Sequence, residues 1–455
     1  MIKLILTTKL FGNFYNFKDV KDVLAKANEE KSGDVLAGIA AENTAERVAA
    51  KVVLSEMTLE DLRNNPVVPY EEDEITRVIQ DSVDIEAYNK IKDMTVGYFR
   101  EFILEADDSI IKEIRGGLTA EMIAGVTKLM SNMDLVYAAA KIENLATCNT
   151  TIGERGTFSS RLQPNHSTDD LDGIMASVME GISYGIGDAV IGLNPVVDTT
   201  DNVIAILKRF KEFMIKWDIP TQNCVLAHVT TQMEALKRGA PMDLMFQSLA
   251  GSQKSNEAFG ISVKLMDEAY KLMEEKKTSK GPNFMYFETG QGSELSSNGH
   301  NGADQLTMEA RCYGFAKRYK PFLVNTVVGF IGPEYLYDGK QVMRAGLEDH
   351  FMGKLTGLPM GVDVCYTNHM KADQNDLENL ALLLSLANCT YFMGIPGGDD
   401  VMLMYQTTSY HDIGTIRQLT GKGPILEFQK RMEALGIMKN ERLTDIAGDP
   451  SIFTV

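Results

Sequence analysis

Eight short apolar segments in the C-terminal part of the chain are each followed by side chains that could bind a small polar molecule. Four of these side chains are neutral amides, one is an arginine and two are carboxylates. Strand ends chosen at random would more often carry Gly, Ser or Lys. In chain order, the residues at the segment ends are Arg161 and Gln163, Asn194, His228, Gln247, Glu288, Asn325 and Phe330, Asp363, and Met393.

The arginine and the two carboxylates define the chemistry that this set could perform. Glu288 and Asp363 could hold an ammonium group and a hydroxyl group, because carboxylates accept hydrogen bonds from both. Arg161 could place its planar, positively charged guanidinium group toward a developing negative oxygen or a migrating group. The neutral amides could complete the hydrogen bonding of the ligand. The alternative is that single amides only tie a strand end to its loop. That alternative is weaker for the carboxylates, which are costly to bury without a partner.

Elsewhere the sequence offers no stronger catalytic group. Its six histidines contain no pair at zinc-binding spacing, and it has neither a G-x-S-x-G elbow nor a Walker loop. Gly290–Leu295 lacks the third glycine of a dinucleotide-binding loop, and Gly397–Asp400 is typical of a turn. Glu348–Gly353 approaches a cobalamin-ligating Asp-x-His-x-x-Gly pattern but is predicted to be helical, so His350 is interpreted as an ordinary helix residue. A polar binding site without a dedicated base, nucleophile or metal cluster indicates a cofactor of the radical or electron-sink type.

The apolar segments alternate with helical patterns, which predicts βαβ units in a parallel sheet. Eight units in about 250 residues favour a (β/α)8 TIM barrel over the alternative of an open doubly wound sheet. The barrel also accounts for the polar residues, because active sites of this fold lie at the C-terminal ends of the strands. The predicted strands are Thr157–Leu162, Ala189–Leu193, Val225–Val229, Leu244–Ser248, Phe284–Phe287, Phe322–Val328, Val362–Cys365 and Tyr391–Gly394.

Residues 1–150 are predicted to form a mainly helical N-terminal extension, and residues 151–455 the barrel domain. No strand series is predicted in the extension, and Asp34 is a candidate N-cap. The predicted helices are Phe17–Leu24, Asn43–Leu54, Ile75–Asp81, Ile85–Ile91, Val96–Ile103 and Ala120–Asn132, and within the barrel Asn202–Trp217, Ala258–Met273 and Leu377–Ala387.

The composition of the 455-residue chain excludes several classes of partner. Its net charge of −18 and pI near 4.9 argue against nucleic acid and against an anionic membrane surface. No run of about 18 apolar residues is present, so no membrane span is predicted. The five widely spaced cysteines contain no C-x-x-C pair, which favours reduced thiols in a cytoplasmic protein over disulfides or a metal site.

Longer segments of the sequence resemble one known family, the large subunit of ethanolamine ammonia-lyase. The resemblance runs over essentially the whole chain and is tightest between residues 149 and 411. The segments that carry it are Asn149–Gly153, Ser160–Pro164, Gly187–Gly192, Val225–Thr231, Tyr286–Ser293, Asn325–Leu336, Gly346–Gly353, Cys365–His369 and Met393–Asp400.

The resemblance implies a function and partners. It implies a (β/α)8 barrel enzyme that uses adenosylcobalamin to convert ethanolamine to acetaldehyde and ammonia by radical chemistry. It also implies a separate small subunit that completes the cobalamin site, a homo-oligomer with a hexameric core of large subunits, and a place within a bacterial microcompartment.

The resemblance also implies roles for particular residues. Arg161 would contact the substrate hydroxyl and stabilise the amine, Glu288 would bind the ammonium, and Asp363 would accept a hydrogen bond from the hydroxyl. Gln163 and Asn194 would assist Glu288. No protein metal ligand is expected, since cobalamin's own base would stay on cobalt. Cofactor contacts would fall on Pro195, Gln247, Ser296 and Met402, and an apolar wall on Phe259, Phe330 and Met393.

Two other hypotheses are open. A barrel lyase or aldolase with a Schiff base would need a lysine at a strand end, and none of the eight ends has one. A shell-associated protein without activity would be expected to lack Arg161, Glu288 or Asp363, and all three are present.

Overall fold

The chain begins with a β-hairpin that is followed by helices in the computed structural model, which describes residues 4–454. Strands β1 (Thr7–Leu10) and β2 (Asn13–Asn16) pair antiparallel, and Phe11 and Gly12 take φ values of 54° and 81° at the turn. The next elements are α1 (Val20–Ala27), α2 (Ser32–Leu36), α3 (Thr44–Glu56), α4 (Leu59–Asn64), α5 (Glu74–Asp81), α6 (Ile85–Ile91), α7 (Val96–Glu105), α8 (Asp108–Ile114), α9 (Ala120–Lys128), α10 (Asn132–Lys141), β3 (Ala146–Thr147) and β4 (Thr151–Ile152).

This region is mainly helical. It contains elements that the prediction lacks, namely α4, α8, β3 and β4, and it differs from the prediction in three further ways. The hairpin is absent from the predicted elements, because its four-residue strands bury no residue and show no apolar alternation. Asp34 is not an N-cap: it lies inside α2, whose N-cap position is taken by Lys31. The predicted helix Ala120–Asn132 is divided, because α9 ends at Lys128 and the side chain of Ser131 caps α10.

Eight parallel strands then alternate with helices. The strands are β5 (Ser159–Leu162), β6 (Val190–Leu193), β7 (Asn223–Val225), β8 (Met245–Ser248), β9 (Met285–Thr289), β10 (Leu323–Val327), β11 (Met360–Asp363) and β12 (Tyr391–Gly394). The helices are α11 (Leu171–Ser183), α12 (Thr200–Lys216), α13 (Val229–Lys237), α14 (Gln253–Ala258), α15 (Val263–Lys276), α16 (Ser293–Ser296), α17 (Gln305–Ala316), α18 (Gly339–Thr356), α19 (Gln374–Leu386) and α20 (Tyr410–Thr420), followed by α21 (Leu426–Ala434) and the pair β13 (Met438–Lys439) and β14 (Arg442–Leu443).

The order of the strands identifies the architecture. They lie in the order β7-β6-β5-β12-β11-β10-β9-β8, so the last strand, β12, pairs with the first, β5. The two remaining edges approach through a backbone hydrogen bond of 3.2 Å from Leu244 N to Asn223 O. The sheet is therefore nearly closed into a TIM-barrel-like fold, as predicted. An open doubly wound sheet would instead reverse its strand order at a switch point.

Two predicted strands are displaced. The predicted strand Val362–Cys365 lies two residues too late, because β11 runs from Met360 to Asp363. The predicted strand Val225–Val229 is also too late. β7 ends at Val225, and His228 does not end a strand but is the N-cap residue of α13, accepting a hydrogen bond from Thr230 N. Of the predicted strand Val225–Val229, only Val225 belongs to β7, and Val229 is already the first residue of α13. Glu288 lies inside β9 rather than after it.

The barrel helices follow the predicted patterns, with one later start. α15 begins at Val263 rather than Ala258, because the chain turns at Gly260 with a φ of 75°. The apolar stripe predicted for α12 is its buried face, formed by Val203, Ile206, Leu207, Phe210, Phe213 and Met214.

Two glycines make room for large side chains inside the barrel. A Cβ at Gly361 would lie 2.1 Å from Tyr391 Cζ, and one at Gly192 would lie 3.1 Å from Arg161 Nε. Neighbouring strands therefore supply the space in which an arginine and a tyrosine are buried.

Most buried apolar side chains of the helical region and of the barrel belong to one continuous core, and Cys365, Met393, Ile395 and Tyr405 form a second, small cluster. The division into domains at residues 1–150 and 151–455 stays a prediction. Within residues 4–454, every helix is too short or too polar to cross a membrane. All five cysteines are buried and none forms a disulfide.

Candidate active site

Arg161 lies at the centre of a buried polar cluster at the C-terminal end of the barrel strands. Its Nη1 donates hydrogen bonds to Glu288 Oε1 at 2.5 Å and to Tyr286 Oη at 2.6 Å. Its Nη2 donates to Gln163 Oε1 at 2.5 Å and to Asn194 Oδ1 at 3.3 Å. Side chains that the sequence places on different strands thus meet around a single cation.

The cluster holds Arg161 in its charged form. Burial by itself lowers the pKa of this fully buried guanidinium, but the neighbouring Tyr286 and Glu288 outweigh burial and raise the pKa. An arginine in this setting can supply a positive charge and hydrogen bonds, but not a proton.

Glu288 has one crowded and one open carboxylate oxygen. Oε1 accepts hydrogen bonds from Arg161, from Tyr286 Oη at 2.7 Å and from Asn325 Nδ2 at 3.4 Å. Oε2 accepts none from the described residues, and 16% of the side chain is exposed. The carboxylate is therefore fixed in place and keeps an acceptor free for a ligand.

Asp363 lies in the same cluster but does not touch Arg161. Its Oδ2 accepts a hydrogen bond from Tyr405 Oη at 2.9 Å, and its Oδ1 accepts one from Thr407 Oγ1. Burial raises the pKa of Asp363 to about 7, with Glu288 adding to the effect, although these hydrogen bonds oppose it. Near neutral pH this carboxyl group lies close to its protonation equilibrium.

A hydrogen-bonded path joins Asp363 to the arginine. Gln163 Nε2 donates to Tyr405 Oη at 3.2 Å and to Asp400 Oδ2 at 2.8 Å. Since Gln163 also contacts Arg161 and Tyr405 contacts Asp363, the predicted substrate residues form one network.

Several members of this network are missing from the sequence prediction. Tyr405, Thr407 and Asp400 come from the irregular loop after β12, which has no periodic pattern to mark it. Tyr286 could have been found, because it lies two residues before Glu288 on the same strand face. The Gly397–Asp400 segment is a turn, as predicted, but its last side chain also reaches the site.

The predicted cofactor residues are spread around the mouth of the barrel, and no hydrogen bond joins them to one another among the described residues. Gln247 Oε1 accepts a hydrogen bond from Val229 N at 2.9 Å. Ser296 is exposed, and its hydroxyl donates to Ser293 O at 2.8 Å. Pro195 and Met402 are half-buried in the loops after β6 and β12. They line the same end of the barrel as Arg161.

The predicted apolar wall differs in exposure from one member to the next. Met393 is buried, with its Sδ 3.8 Å from Tyr405 Oη. Phe330 is 39% exposed and stacks edge-to-face on Tyr405, with ring centroids 5.4 Å apart. Phe259 is half-buried, and its carbonyl oxygen lies 3.1 Å from His228 Nε2.

The near-match to a cobalamin-ligating motif lies outside the Arg161 cluster. Glu348–Gly353 is buried within α18, as its helical pattern predicted. His350 is fully buried, and burial together with Lys354 and Lys422 lowers its pKa well below the ordinary value. Among residues 4–454, no group of three or more His, Cys, Asp or Glu side chains could hold a metal ion.

Comparison with known proteins gives a consistent result. Residues 15–446 match the family described as "Ethanolamine ammonia lyase large subunit (EutB)". The chain is 57% identical over 450 residues to the ethanolamine ammonia-lyase large subunits of Escherichia coli (strain K12) and of Salmonella typhimurium (strain LT2), covering 98% of this chain and 99% of each relative.

Similarity to a solved structure is much weaker. The chain superposes on HydG, a maturase of the FeFe-hydrogenase, with a TM-score of 0.44 and 10% identity, over 78% of this chain and 84% of that one. The fold assignment accordingly depends on the strand order of this chain.

Proposed function

This chain belongs to the family of ethanolamine ammonia-lyase large subunits and is an ammonia-lyase, a carbon–nitrogen lyase; from that premise we propose that it converts ethanolamine to acetaldehyde and ammonia with adenosylcobalamin. The substrate binds at the C-terminal mouth of the barrel, where the strand ends converge.

The observation that supports this proposal is the hydrogen bonding and exposure of the Glu288 carboxylate. Its Oε1 is held by three donors, while Oε2 is open and the side chain is partly exposed. A fixed carboxylate with a free oxygen suits the ammonium group of a small amino alcohol, because a charge-assisted hydrogen bond there needs little rearrangement.

Arg161 and its amide partners orient the rest of the substrate. The guanidinium contacts the substrate hydroxyl and stabilises the amine as it migrates or leaves. Gln163 Oε1 and Asn194 Oδ1 hold Arg161 from one side. Each amide oxygen keeps a second lone pair, which assists by accepting a hydrogen bond from the ammonium.

Asp363 accepts the hydrogen bond of the substrate hydroxyl. Without a ligand, burial raises the pKa of Asp363 to about 7. A bound ammonium ion nearby favours the ionised form, since an opposite charge lowers the pKa of a carboxyl group. Substrate binding thus shifts Asp363 toward the ionised form, which accepts the hydrogen bond of the hydroxyl group.

The mouth of the barrel fits a large organic cofactor. Apolar side chains are exposed on three loops beside the Arg161 cluster, a surface that a broad ring system would cover. When bound, adenosylcobalamin supplies the radical chemistry that removes hydrogen from the substrate carbon. Pro195, Gln247, Ser296 and Met402 would hold it, while Phe259, Phe330 and Met393 would exclude water. The exposed side chains are Val196, Val197, Phe330, Val401 and Met404.

The proposal includes partners and a location. The relatives are named large subunits, which implies a separate small subunit. We place the small subunit over the mouth, where the exposed apolar loops need cover. A hexameric core of large subunits, in the cytoplasm and within a bacterial microcompartment, completes the proposal.

The test is acetaldehyde formation from ethanolamine by this chain co-purified with its small subunit. The assay is run with adenosylcobalamin, with cyanocobalamin and without cofactor. Acetaldehyde that depends on adenosylcobalamin is the expected result. The Asp267→Asn variant serves as a control, because this partly exposed carboxylate lies on α15, outside the cluster. No acetaldehyde from a folded, cobalamin-loaded complex would refute the proposal.

A further inference from the structure

Two threonines lie directly behind the site, on the outer face of the barrel wall. Glu288 and Asn325 are register partners on β9 and β10, and the residues that follow them, Thr289 and Thr326, are partners as well. Successive side chains of a strand point to opposite faces. Glu288 and Asn325 meet Arg161 or one another inside the barrel, so the two threonines face the surrounding helices.

Each threonine hydroxyl donates a hydrogen bond to a buried carboxylate. Thr289 Oγ1 donates to Glu309 Oε1 on α17, and Thr326 Oγ1 donates to Asp349 Oδ2 on α18 at 2.8 Å. Asp349 Oδ1 also accepts from Gln291 Nε2, in the loop after β9, at 2.7 Å. One carboxylate therefore holds both β10 and the chain that leaves β9.

These two carboxylates are energetically costly to bury at these positions. Both are fully buried. Burial raises the pKa of Asp349 to about 7, with Glu348 adding to the effect and Lys31 opposing it. Burial, Asp349 and Glu294 raise the pKa of Glu309 well above its usual range. Apolar side chains of similar size would fill the space at less cost, so the hydrogen bonds to the strands are the property that distinguishes this pair.

We propose that Glu309 and Asp349 are positioning residues, which fix the inward-facing Glu288 and Asn325 through Thr289 and Thr326. This role rests on the proposed function, because it assigns to the outer wall the task of holding the carboxylate that receives the ammonium. It also assigns a role to the Glu348–Gly353 segment, because its Asp349 supports the site residues from the outer face of the barrel wall.

The test removes single hydroxyl groups while keeping the shape of the side chain. Thr326→Val and Thr289→Val each delete one bond, and Thr326→Ser and Thr289→Ser restore it. Thr356→Val is the matched control, because Thr356 is buried on the same helix as Asp349 and donates only to Met352 O at 2.8 Å. Kinetics use the holoenzyme with its small subunit, normalised to folded protein by circular dichroism.

The valine variants are expected to lose roughly 10- to 100-fold in kcat, with KM changed by less than about threefold, because displacing a reacting group by about 1 Å costs about 100-fold in rate. The serine variants recover most of the rate, and Thr356→Val keeps it. Crystal structures are expected to show the 3.4 Å separation of Asn325 Nδ2 and Glu288 Oε1 altered in Thr326→Val and unchanged in the control.

Other outcomes overturn the role. Valine variants with wild-type kcat and an unmoved Glu288 would show that the outer bonds do not position the site. Failure of the serine variants to restore the rate would show that packing, not the hydroxyl, matters. If wild-type enzyme forms no acetaldehyde, the proposed function fails, and the crystal structures still decide the positioning. Thr326→Ala, which also deletes the hydroxyl group, replaces Thr326→Val should that variant fold poorly.

Discussion

Two fully buried arginines, Arg161 in the barrel mouth and Arg311 on α17, are surrounded differently. Every guanidinium nitrogen of Arg311 donates a hydrogen bond: Nε to Gly251 O, Nη1 to Glu121 Oε1 and Nη2 to Asp73 Oδ2, each at 2.8 Å. Its partners on α9 and at the N-cap of α5 join the N-terminal helices to the barrel. Arg161 Nε has no partner among the described residues.

The carboxylate partners of the two arginines also differ, in how much of each side chain is exposed. The side chains of Asp73 and Glu121 are 3% and 1% exposed, whereas that of Glu288 is 16% exposed. Glu121 Oε2 also lacks a partner, but no solvent reaches it. Both arginines thus pair with buried or nearly buried carboxylates, so residue type does not distinguish the two ion pairs. Of the two, only the Arg161–Glu288 pair, which we propose binds the substrate, has an unused acceptor that a ligand can reach.

Glu288→Gln is the substitution with the largest expected effect. It keeps the size of the side chain but removes the charge that would bind the ammonium, so kcat/KM for ethanolamine is expected to fall about 1,000-fold or more. The acetaldehyde assay measures the loss, and thermal melting checks that the fold survives. A near-normal kcat/KM would show that the charge of Glu288 does not bind the substrate. The ion pair of Arg161 would then be structural, like that of Arg311.

Arg311→Met is expected to give the opposite result. It leaves Asp73 and Glu121 buried without their cation, which should lower the free energy of unfolding by about 3–5 kcal/mol. Urea denaturation followed by circular dichroism measures this loss. The rate per folded molecule should remain that of the wild type, because no bond from Arg311 reaches the mouth. A specific loss of kcat at unchanged stability would contradict the structural role.

Asp363 makes the stability of the protein depend on pH. Burial raises its pKa from the ordinary 3.8 to about 7, so the folded protein favours the protonated form. The stability from this group is fully present below about pH 4 and is lost as the pH rises to about 7, by up to about 4 kcal/mol in the unliganded protein.

Asp363→Asn isolates that dependence, since asparagine keeps the shape and does not titrate. Urea denaturation of both proteins between pH 4 and pH 8 is expected to show the wild type losing stability relative to the variant as the pH rises. A difference that stays constant with pH would show that Asp363 keeps an ordinary pKa.

The sequence predicted the barrel and much of the site for identifiable reasons. Buried parallel strands are continuous apolar runs, and the fold collects its functional residues at their C-terminal ends. Arg161, Gln163, Asn194 and Glu288 therefore follow from the strand pattern, and the structure brings them into contact. Their roles in catalysis stay predictions.

The remaining features depend on contacts that a linear pattern does not encode. Tyr405 and Asp400 reach Gln163 from an irregular loop more than 200 residues away in the chain. Asp34 resembles a helix cap in its short segment, yet its buried Oδ1 accepts a hydrogen bond from Gln305 N across 271 positions. His228 is misplaced by the pattern because buried apolar residues on both sides of it, Leu226, Ala227 and Val229, extend the apolar run beyond the end of β7.

Asp267→Asn is the substitution with the smallest expected effect. The ion pair of Asp267 with Arg318 has good geometry, with Nε–Oδ1 and Nη2–Oδ2 distances of 2.9 and 2.8 Å. Its side chains, however, are 42% and 44% exposed, so water and salt screen the attraction. The expected loss of unfolding free energy is below about 1 kcal/mol, and smaller still in 1 M NaCl. A loss as large as that of Arg311→Met would mean that geometry, rather than burial, sets the strength of these pairs, and the contrast between Arg161 and Arg311 would then need another explanation.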